Sequence, residues 1–511
     1  MLKTLPEDRV SGLCDALGLD CARARHRAEL CSQIFTRTFH LHGLTRTARP
    51  LLELAAILHD ACAKGDGEPP DLSGFDGALE RAFPELTATQ RRIVFAALRG
   101  PRPEGRVVEP CGTPKDAVAD EVALRMAAII EIADGLSSSG APETSVASAI
   151  DDGEAVELLV SGGGSVRRDV AAAAQRLGLW NLVMLRPIRT IAVFGGKRPP
   201  GEMAAWSQTV AGVARRLLQT QWEQFTARLY GLSYDEDIEY VHEMRVALRR
   251  LRAALRVFRR AVDGAASSLG DGLRQLANAL GAVRDIDVLL VFLRDYSQAA
   301  SDEHRPYLRE LLGAERRRRR RRYRALEAFL ASEPYAELRR TCSALLTARG
   351  AEGGLQSLGG EADEPLSAVA PRILLKGLRR VTRHTWRLDR SSPEEQHGLR
   401  ILCKKLRYTA EFFSCVYPEG LGDVVKPMVE MQDSLGDVHD ADLYKERILR
   451  YHARRRRPAD VVAADQAAAA LLAHLQCWRE ESLRRAMAAF KAFLKSKAPR
   501  KAIKAASVNG G

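Results

Sequence analysis

The sequence contains no long apolar run and no recognisable export signal. A membrane-spanning helix needs about 20 predominantly apolar residues, whereas the longest candidate, Leu51 to Leu58, is short and contains Glu53. The opening residues, MLKTLPEDRV, lack the apolar segment of a secretory signal. These absences predict a soluble protein located in the cytoplasm.

Cysteine pairs and aromatic side chains are also scarce. The nine cysteines are an odd number and include no C-x-x-C pair, which argues against a disulfide framework or a zinc ribbon. Phe, Trp and Tyr together make up 6% of the chain.

After residue 201, β-branched runs are missing and apolar residues recur at intervals of three and four. This spacing predicts that nearly all of the second part is helical.

Excess positive charge is confined to the second part of the chain. Residues 1–200 hold 24 Lys and Arg against 26 Asp and Glu, whereas residues 201–511 hold 54 against 39. The net charges are therefore −2 and +15. Because the charge of a domain reports on its own partner, the second part is expected to meet an anion. A Gly/Pro cluster, GGKRPPG at residues 195–201, coincides with this change and predicts a domain boundary.

We predict a mainly α protein with three parts. The first is a mostly helical domain over residues 1–198, with strand-like stretches at 155–161 and 189–194 and a helix between them. The second is a helical domain over 203–495, whose repeat units, 203–348 and 366–495, are separated by a Gly-rich linker at 349–365. The third is a basic flexible tail, 496–511.

The helical part is internally duplicated. VHEMRVALRRLRAALRVF, starting at Val241, matches QHGLRILCKKLRYTAEFF, starting at Gln396, with a shift of 155 residues. The same shift aligns LGAVRDIDVL, from Leu280, with LGDVHDADLY, from Leu435. Two separated blocks with one offset indicate two copies of one helical unit.

The first block of each copy carries an apolar stripe and a basic stripe, because residues three and four apart share a helix face. The apolar stripe of the first copy is Met244, Leu248, Leu251, Leu255 and Phe258. Its basic stripe comprises His242, Arg245, Arg249, Arg252 and Arg256, with Arg250 beside it. The second copy has the basic positions His397, Arg400, Lys404, Lys405 and Arg407.

A one-sign stripe predicts an anion-binding groove beside the buried seam. The alternative is an exposed face on which Lys and Arg are merely solvated. Such a face usually mixes signs at i and i+4, whereas these cations would repel one another over four turns without an anion. A further basic series starts at Arg372 and includes Lys376, Arg379, Arg383 and Arg387.

Two aspartates follow each basic block, within the pattern L-G-x-x-x-D-x-D. They are Asp285 and Asp287 in the first copy and Asp440 and Asp442 in the second. The simpler interpretation is that these carboxylates pair with arginines of the groove and fix their rotamers. The alternative makes them metal ligands together with His242 and His397, although one histidine per repeat is a sparse set.

These residues resemble the CHAD domain (conserved histidine α-helical domain) over about 205–490. The pattern H-x-x-R-x-x-x-[RK]-[RK]-L-R, its second copy and the L-G-x-x-x-D-x-D block carry the resemblance. It implies two helical bundles related by a pseudo-twofold axis and a basic central channel that binds inorganic polyphosphate. The implied binding residues are the histidines and basic residues of the two stripes. The second copy departs from the first at Glu411, opposite Arg256, which is expected to weaken one end of its stripe.

Nucleic acid is the competing polyanion. Single-strand binders place aromatic side chains under the bases, and the basic stripes contain only Tyr408. Polyphosphate is therefore the expected ligand, with polyphosphate granules as an expected location and proteins of polyphosphate metabolism as expected partners. We predict no membrane association.

The first 195 residues resemble the C-terminal, HD-like region of the exopolyphosphatase family. His26, the pair His59 and Asp60, and Asp134 in IIEIADGL stand in the metal-ligand order of an HD phosphohydrolase. Such an enzyme uses a divalent ion to activate water against a phosphoester. No histidine lies between His59 and Asp134, so the middle ligands of active HD enzymes are missing.

Three functions remain open from the sequence. The first is non-catalytic polyphosphate binding, with no catalytic residue and no certain cofactor. The second is a metal-dependent phosphohydrolase, acting on polyphosphate or a nucleotide, in which the basic domain delivers the substrate. The third is nucleic-acid binding.

Overall fold

The computed structural model describes residues 4–62, 73–99, 114–151, 155–193, 209–233, 237–346, 362–383, 391–417, 420–454, 461–497 and 499–501. The chain divides into two compact units. The first comprises Met1–Pro199 with Glu223–Ala247, and the second comprises Pro200–Trp222 with Leu248–Gly511. Helices predominate throughout the described residues, as predicted.

The first unit begins with six helices. They are α1 Glu7–Leu17, α2 Cys21–Arg37, α3 Arg49–Cys62, α4 Ser73–Ala82, α5 Ala88–Arg99 and α6 Pro114–Leu136. Helix α2 starts where the side chain of Asp20 accepts hydrogen bonds from the backbone N–H groups of Ala22 and Arg23. Apolar residues of α2, α3 and α6, among them Ile34, Leu54 and Ile129, are fully buried in one core.

A small sheet completes this unit. Strand β1, Ser145–Asp151, pairs antiparallel with β2, Val156–Ser161, and β2 pairs parallel with β3, Ile188–Val193. Helices α7, Val166–Ala174, and α8, Gly178–Val183, make the connection that a parallel pair requires. The two predicted strands are confirmed. Strand β1 was not predicted, since SVASAID consists largely of small residues.

Long helices from residue 210 onward form two similar series, and residues 223–247 of the first series belong to the first unit. The first series is α9 Val210–Thr226, α10 Glu239–Val257, α11 Asp263–Ala299, α12 Arg305–Leu330 and α13 Glu333–Leu346. The second is α14 Leu366–Arg383, α15 Pro393–Phe413, α16 Gly422–Ala453 and α17 Val461–Lys495. With the shift of 155 residues, α10 aligns in sequence with α15, and α11 aligns with α16. One core joins α11 and α12 to α16 and α17, with Leu289, Leu311, Ile448 and Leu471 buried in it.

The first unit takes in a segment that follows Pro199 in the chain. Residues 223–247 form part of the first unit, because Arg228 donates hydrogen bonds to the carbonyls of Phe39 and Leu44. Asp237 likewise accepts hydrogen bonds from the hydroxyls of Thr45 and Thr47. The Gly/Pro cluster, the linker centre and most of the tail lie outside the described residues.

None of the described helices combines the length and apolar character that crossing a bilayer requires. Cys14, Cys31, Cys342 and Cys403 are buried as free thiols. Burial raises the pKa of the Cys342 and Cys403 thiols to about 12, so both are protonated at neutral pH.

Candidate functional sites

The basic stripe of the first copy lies on α10, beside a fully apolar seam. Met244, Leu248 and Leu251 are buried, as predicted. The stripe residues keep part of their surface in solvent; they are His242, Arg245, Arg249, Arg250, Arg252 and Arg256. This separation follows from helical periodicity and leaves the cations beside the seam.

The equivalent stripe lies on α15, which begins with a capping box. The Ser392 hydroxyl accepts from the Glu395 N–H at 3.2 Å, and the Glu395 carboxylate accepts from the Ser392 N–H at 2.8 Å. The apolar positions Leu399, Cys403, Leu406, Ala410 and Phe413 are buried. The basic positions retain exposed surface; they are His397, Arg400, Lys404, Lys405 and Arg407.

Helices α10 and α15 meet at equivalent residues. The rings of Phe258 and Phe413, which match under the shift of 155, contact each other edge to face with centroids 5.7 Å apart. The C-terminal ends of the two equivalent helices therefore lie against each other.

Glu411 joins the two stripes. Its carboxylate accepts hydrogen bonds from Arg250, on α10, at 2.5 Å and from Arg407, on its own helix, at 2.7 Å. The guanidinium carbons of Arg249, Arg250 and Arg407 lie over the ring of Tyr408, each 5.7 Å from the ring centroid. Glu411 thus neutralises part of the positive charge of Arg250 and Arg407.

The counterpart of that ion pair is a pair of like charges. Under the shift of 155, Lys405 is the equivalent of Arg250 and Arg256 is the equivalent of Glu411. Burial lowers the pKa of Lys405, and the nearby guanidiniums of Arg256 and Arg380 lower it further. Burial, Arg256 and Arg274 likewise lower the pKa of Arg252. We call Arg256, Arg380 and Lys405 the open cation cluster; its members come from α10, α14 and α15, and all three are exposed.

His397 contacts a second histidine, which was not predicted, with the two rings tilted by 44°. Its ring centroid is 4.9 Å from that of His439, on α16. Burial lowers the pKa of His439, as do the charges of Arg400 and His397. The two rings line a pocket of about 320 Å³ that Gln396 and Asp442 also border. His439 takes the position of Arg284 in the repeat, so the two copies differ here.

Two of the repeat aspartates bind arginines that lie outside the stripes. Asp287, which is 1% exposed, accepts from Arg319 of α12. Its equivalent Asp442 accepts from Arg479 of α17 at 2.7 Å. Arg319 belongs to the run of seven arginines from Arg316 to Arg322 and is its one buried member. Asp287 and Asp442 thus each pair with an arginine, whereas the pairing of these aspartates with arginines of the stripes stays a prediction. Asp285 is exposed and Asp440 is partly exposed.

The candidate ligands of the first unit come together in part. One donor atom each of His59, Asp60 and Asp134 can be chosen so that all lie within 4.8 Å of one another. Across the described residues, no such group includes His26 or the repeat aspartates. His26 precedes Arg27 on α2, and successive residues of a helix point about 100° apart. The Nε2 atom of His26 is buried without a hydrogen-bond partner among the described residues.

Arg27 lies within this group of ligands. It is 0% exposed, and its Nη1 atom is 2.9 Å from His59 Nδ1, 2.7 Å from Asp60 Oδ1 and 3.3 Å from Asp134 Oδ1. Its Nη2 atom donates to Asp60 Oδ2 at 2.5 Å, while Arg176 pairs with the other oxygen of Asp134. The donor types suit a divalent ion, but a guanidinium already fills the space between them. The residues present therefore do not fit a metal.

Comparison with known proteins identifies the duplicated helical region. Residues 216–449 match the model of the CHAD domain, so the chain carries a CHAD domain. This match does not extend to residues 1–215. The likeness of the first 195 residues to the exopolyphosphatase family therefore stays a prediction.

Two curated relatives come from Mycobacterium tuberculosis. The uncharacterized protein MT2285, from strain CDC 1551, is 30% identical over 261 residues, which make up 50% of this chain and 48% of that protein. The uncharacterized protein Rv2226, from strain H37Rv, is 29% identical over 261 residues with the same coverage. The chain thus spans about half the length of these relatives.

Two solved structures are also similar. The CHAD domain from the plant Ricinus communis is 25% identical and aligns with a TM-score of 0.45, covering 56% of this chain and 93% of that chain. PptA from Streptomyces chartreusis is 15% identical with a TM-score of 0.44, covering 56% of this chain and 100% of that chain.

Proposed function

We propose that the CHAD domain binds inorganic polyphosphate without hydrolysing it. The observation that carries this proposal is the open cation cluster, where burial and the nearby guanidiniums of Arg256 and Arg380 lower the pKa of Lys405. Like charges on three different helices cost free energy unless an anion lies between them. A phosphate chain supplies one negative charge per unit and can follow the stripes from one helix to the next.

The guanidinium groups of the stripes suit this ligand. Arginine presents a planar fork of N–H donors that matches phosphate oxygens in pairs. Several stripe arginines, including Arg252 and Arg400, are only partly exposed, which limits their motion and the entropy lost on binding. Arg250 and Arg407 are engaged with Glu411, so we expect the phosphates to concentrate at the opposite end.

The position of Tyr408 disfavours single-stranded nucleic acid as the ligand. Its ring is 2% exposed and lies beneath three arginines. A buried ring cannot stack on a base, and base stacking supplies about 1–3 kcal/mol per nucleotide in single-strand binders. The basic stripes then offer positive charge but no exposed ring for a base. A phosphate polymer, which has no bases, binds through charge alone.

We further propose that polyphosphate binding brings the protein to polyphosphate granules. The first unit then recruits or modulates proteins of polyphosphate metabolism. Hydrolysis by the first unit is the less favoured function, because Arg27 occupies the centre of its candidate ligand set.

The test compares two triple variants of the full-length protein in binding polyphosphate of defined chain length. Arg256→Ala/Arg380→Ala/Lys405→Ala removes the open cation cluster. Arg316→Ala/Arg320→Ala/Arg321→Ala removes three exposed arginines of α12 and is the control with equal charge loss. We expect the cluster variant to bind at least ten times more weakly than wild type and the control to lose no more than about threefold, since long-range charge contributes less than contact.

Competition separates the remaining functions. Single-stranded DNA and RNA of matched charge are added to the wild-type complex while released phosphate is measured. We expect the nucleic acids to displace polyphosphate only at large excess, with no release of phosphate. Equal losses in both triple variants would contradict a defined site, and efficient displacement by nucleic acid would contradict the choice of ligand.

A further inference from the structure

The interior of the first unit contains a positive charge that solvent does not reach. Arg27 is 0% exposed, whereas the side chain of Asp60 is 24% exposed and that of Asp134 is 11% exposed. Bringing a lone guanidinium into such a place costs several kcal/mol, and partners must compensate for it. Those partners are the two carboxylates and the imidazole of His59.

The protonation state of His59 follows from this contact. Arginine can only donate hydrogen bonds, so the Nδ1 atom of His59 must accept the one from Arg27. The imidazole is therefore neutral, with its proton on Nε2. An imidazole nitrogen and the oxygens of two carboxyl groups are the ligand types that a divalent cation would require.

Each donor group of the set is directed at the guanidinium. The Nη1 atom alone lies within 3.3 Å of an atom from each of the three residues. A divalent ion would need distances near 2 Å to the same atoms. The two cations therefore compete for one space, and Arg27 is covalently attached next to it.

We propose that Arg27 takes the place of a divalent cation in the first unit. The ligand set of a metal centre is retained, but an internal guanidinium neutralises it and holds α2, α3 and α6 together. Arg176 strengthens this arrangement because it pairs with the remaining oxygen of Asp134. The first unit then binds no metal in the native protein, and removing one side chain opens a metal site.

The experiment measures binding of Mn²⁺ to the full-length protein by electron paramagnetic resonance and calorimetry. Wild type is expected to show no saturable site at His59, Asp60 and Asp134. Arg27→Ala is expected to gain one Mn²⁺ per chain, with affinity at least tenfold above any binding by wild type. The double variant Arg27→Ala/Asp134→Asn is expected to lose that gain, and Arg27→Lys is expected not to show it, since an ammonium keeps the charge in place.

Either of two results overturns the proposal. One is stoichiometric Mn²⁺ binding by wild type that Asp134→Asn abolishes, because the metal and Arg27 would then coexist. The other is a folded Arg27→Ala protein that binds Mn²⁺ no better than wild type. If Arg27→Ala does not fold, Arg27→Met, which preserves part of the side-chain volume, replaces it. The wild-type titration decides the first point whatever the variants do.

Discussion

At the scale of the residue, the two sites differ in how charge is balanced. Arg27 is surrounded by acceptors inside the first unit. Lys405, in contrast, faces Arg256 and Arg380 at an exposed position. The first arrangement is complete without a ligand, whereas the second is improved by an anion. This difference is why a binding role is assigned to the CHAD domain.

Glu411 gives a prediction at this scale. Glu411→Gln removes the carboxylate that pairs with Arg250 and Arg407, so both cations become available to a polyanion. We expect polyphosphate to bind several times more tightly at low salt, and the unliganded protein to lose about 1 kcal/mol of stability. Binding is measured by calorimetry and stability by thermal unfolding.

Glu337→Gln is the matched control for Glu411→Gln. It makes the same change of charge at an exposed carboxylate on α13 that pairs with Arg340. We expect little change in either measurement for the control. A Glu411→Gln protein that binds polyphosphate no better than this control would show that Glu411 does not limit the groove.

His42 makes the first unit sensitive to acid. Its Nε2–H donates to the carbonyl of Phe35 at 3.0 Å, and its Nδ1 accepts from the N–H of Leu44 at 3.1 Å. Burial lowers the pKa of this fully buried histidine well below 6.5. The native state therefore holds fewer protons than the unfolded state below pH 6.5, and its stability falls as the pH falls.

The expected loss through His42 approaches about 1.4 kcal/mol per pH unit below that value. His42→Gln keeps a donor and an acceptor but does not titrate. We expect the variant to be less stable than wild type at pH 7.5 and to lose less stability between pH 6.5 and 5.5. Thermal unfolding at several pH values checks this, and parallel pH profiles for the two proteins would contradict it.

At the scale of the element, the sequence predicted which face of a helix is buried, but not which residues of other helices contact it. The buried seams of α10 and α15 follow directly from the spacing of Leu248, Leu251, Leu399 and Leu406. The shared offset of 155 likewise predicted that the two helices are equivalent. Periodicity describes one helix at a time, so it could not show that Glu411 reaches Arg250 on another helix.

The interior position of Arg27 could not be predicted for the same reason. The sequence draws attention to His26, which fits a known ligand order, whereas rotation along α2 directs Arg27 toward the cluster. Strand β1 escaped prediction because its own residues, SVASAID, are mostly small, and the strand is defined by its pairing with β2. Arg380 adjoins Arg379 of the further basic series, and His439 lies within the second L-G-x-x-x-D-x-D block, but nothing in the sequence distinguishes either residue from its neighbours.

Gly135 gives a prediction about the packing of α6 against α7. A Cβ atom at this position would lie 2.5 Å from the Cα atom of Ala173, which is backbone and cannot easily move. Gly135→Ala is expected to cost about 1–3 kcal/mol of stability. The control Gly12→Ala lies in α1 with no atom within 4 Å of the new Cβ, and it is expected to be neutral or stabilising.

Thermal unfolding of both glycine variants tests this prediction. Equal stability of the Gly135→Ala and Gly12→Ala proteins would contradict the close approach of the two helices. Because Gly135 adjoins Asp134, the Gly135→Ala protein is also expected to show faster hydrogen exchange at the backbone amides of Arg27 and Asp134.

At the scale of the whole molecule, charge separates the two parts of the chain. The net charge of −2 for residues 1–200 and +15 for residues 201–511 was visible from composition alone. Composition could not show that the positive charge is arranged as stripes on α10 and α15. Glu411 pairs with arginines at one end of the stripes, and the open cation cluster lies at the other. That asymmetry arises because the two copies diverged at the positions of Arg256 and Glu411.

The most direct test of polyphosphate binding is the salt dependence of affinity for the full-length protein. Displacement of counterions makes log K fall linearly with log salt, by about 0.7–0.9 per phosphate contact. The Arg256→Ala/Arg380→Ala/Lys405→Ala variant is expected to show a slope smaller in magnitude by about two, whereas the Arg316→Ala/Arg320→Ala/Arg321→Ala control keeps the wild-type slope. A cluster variant with the wild-type slope and affinity would contradict the proposal that these cations hold the phosphate chain.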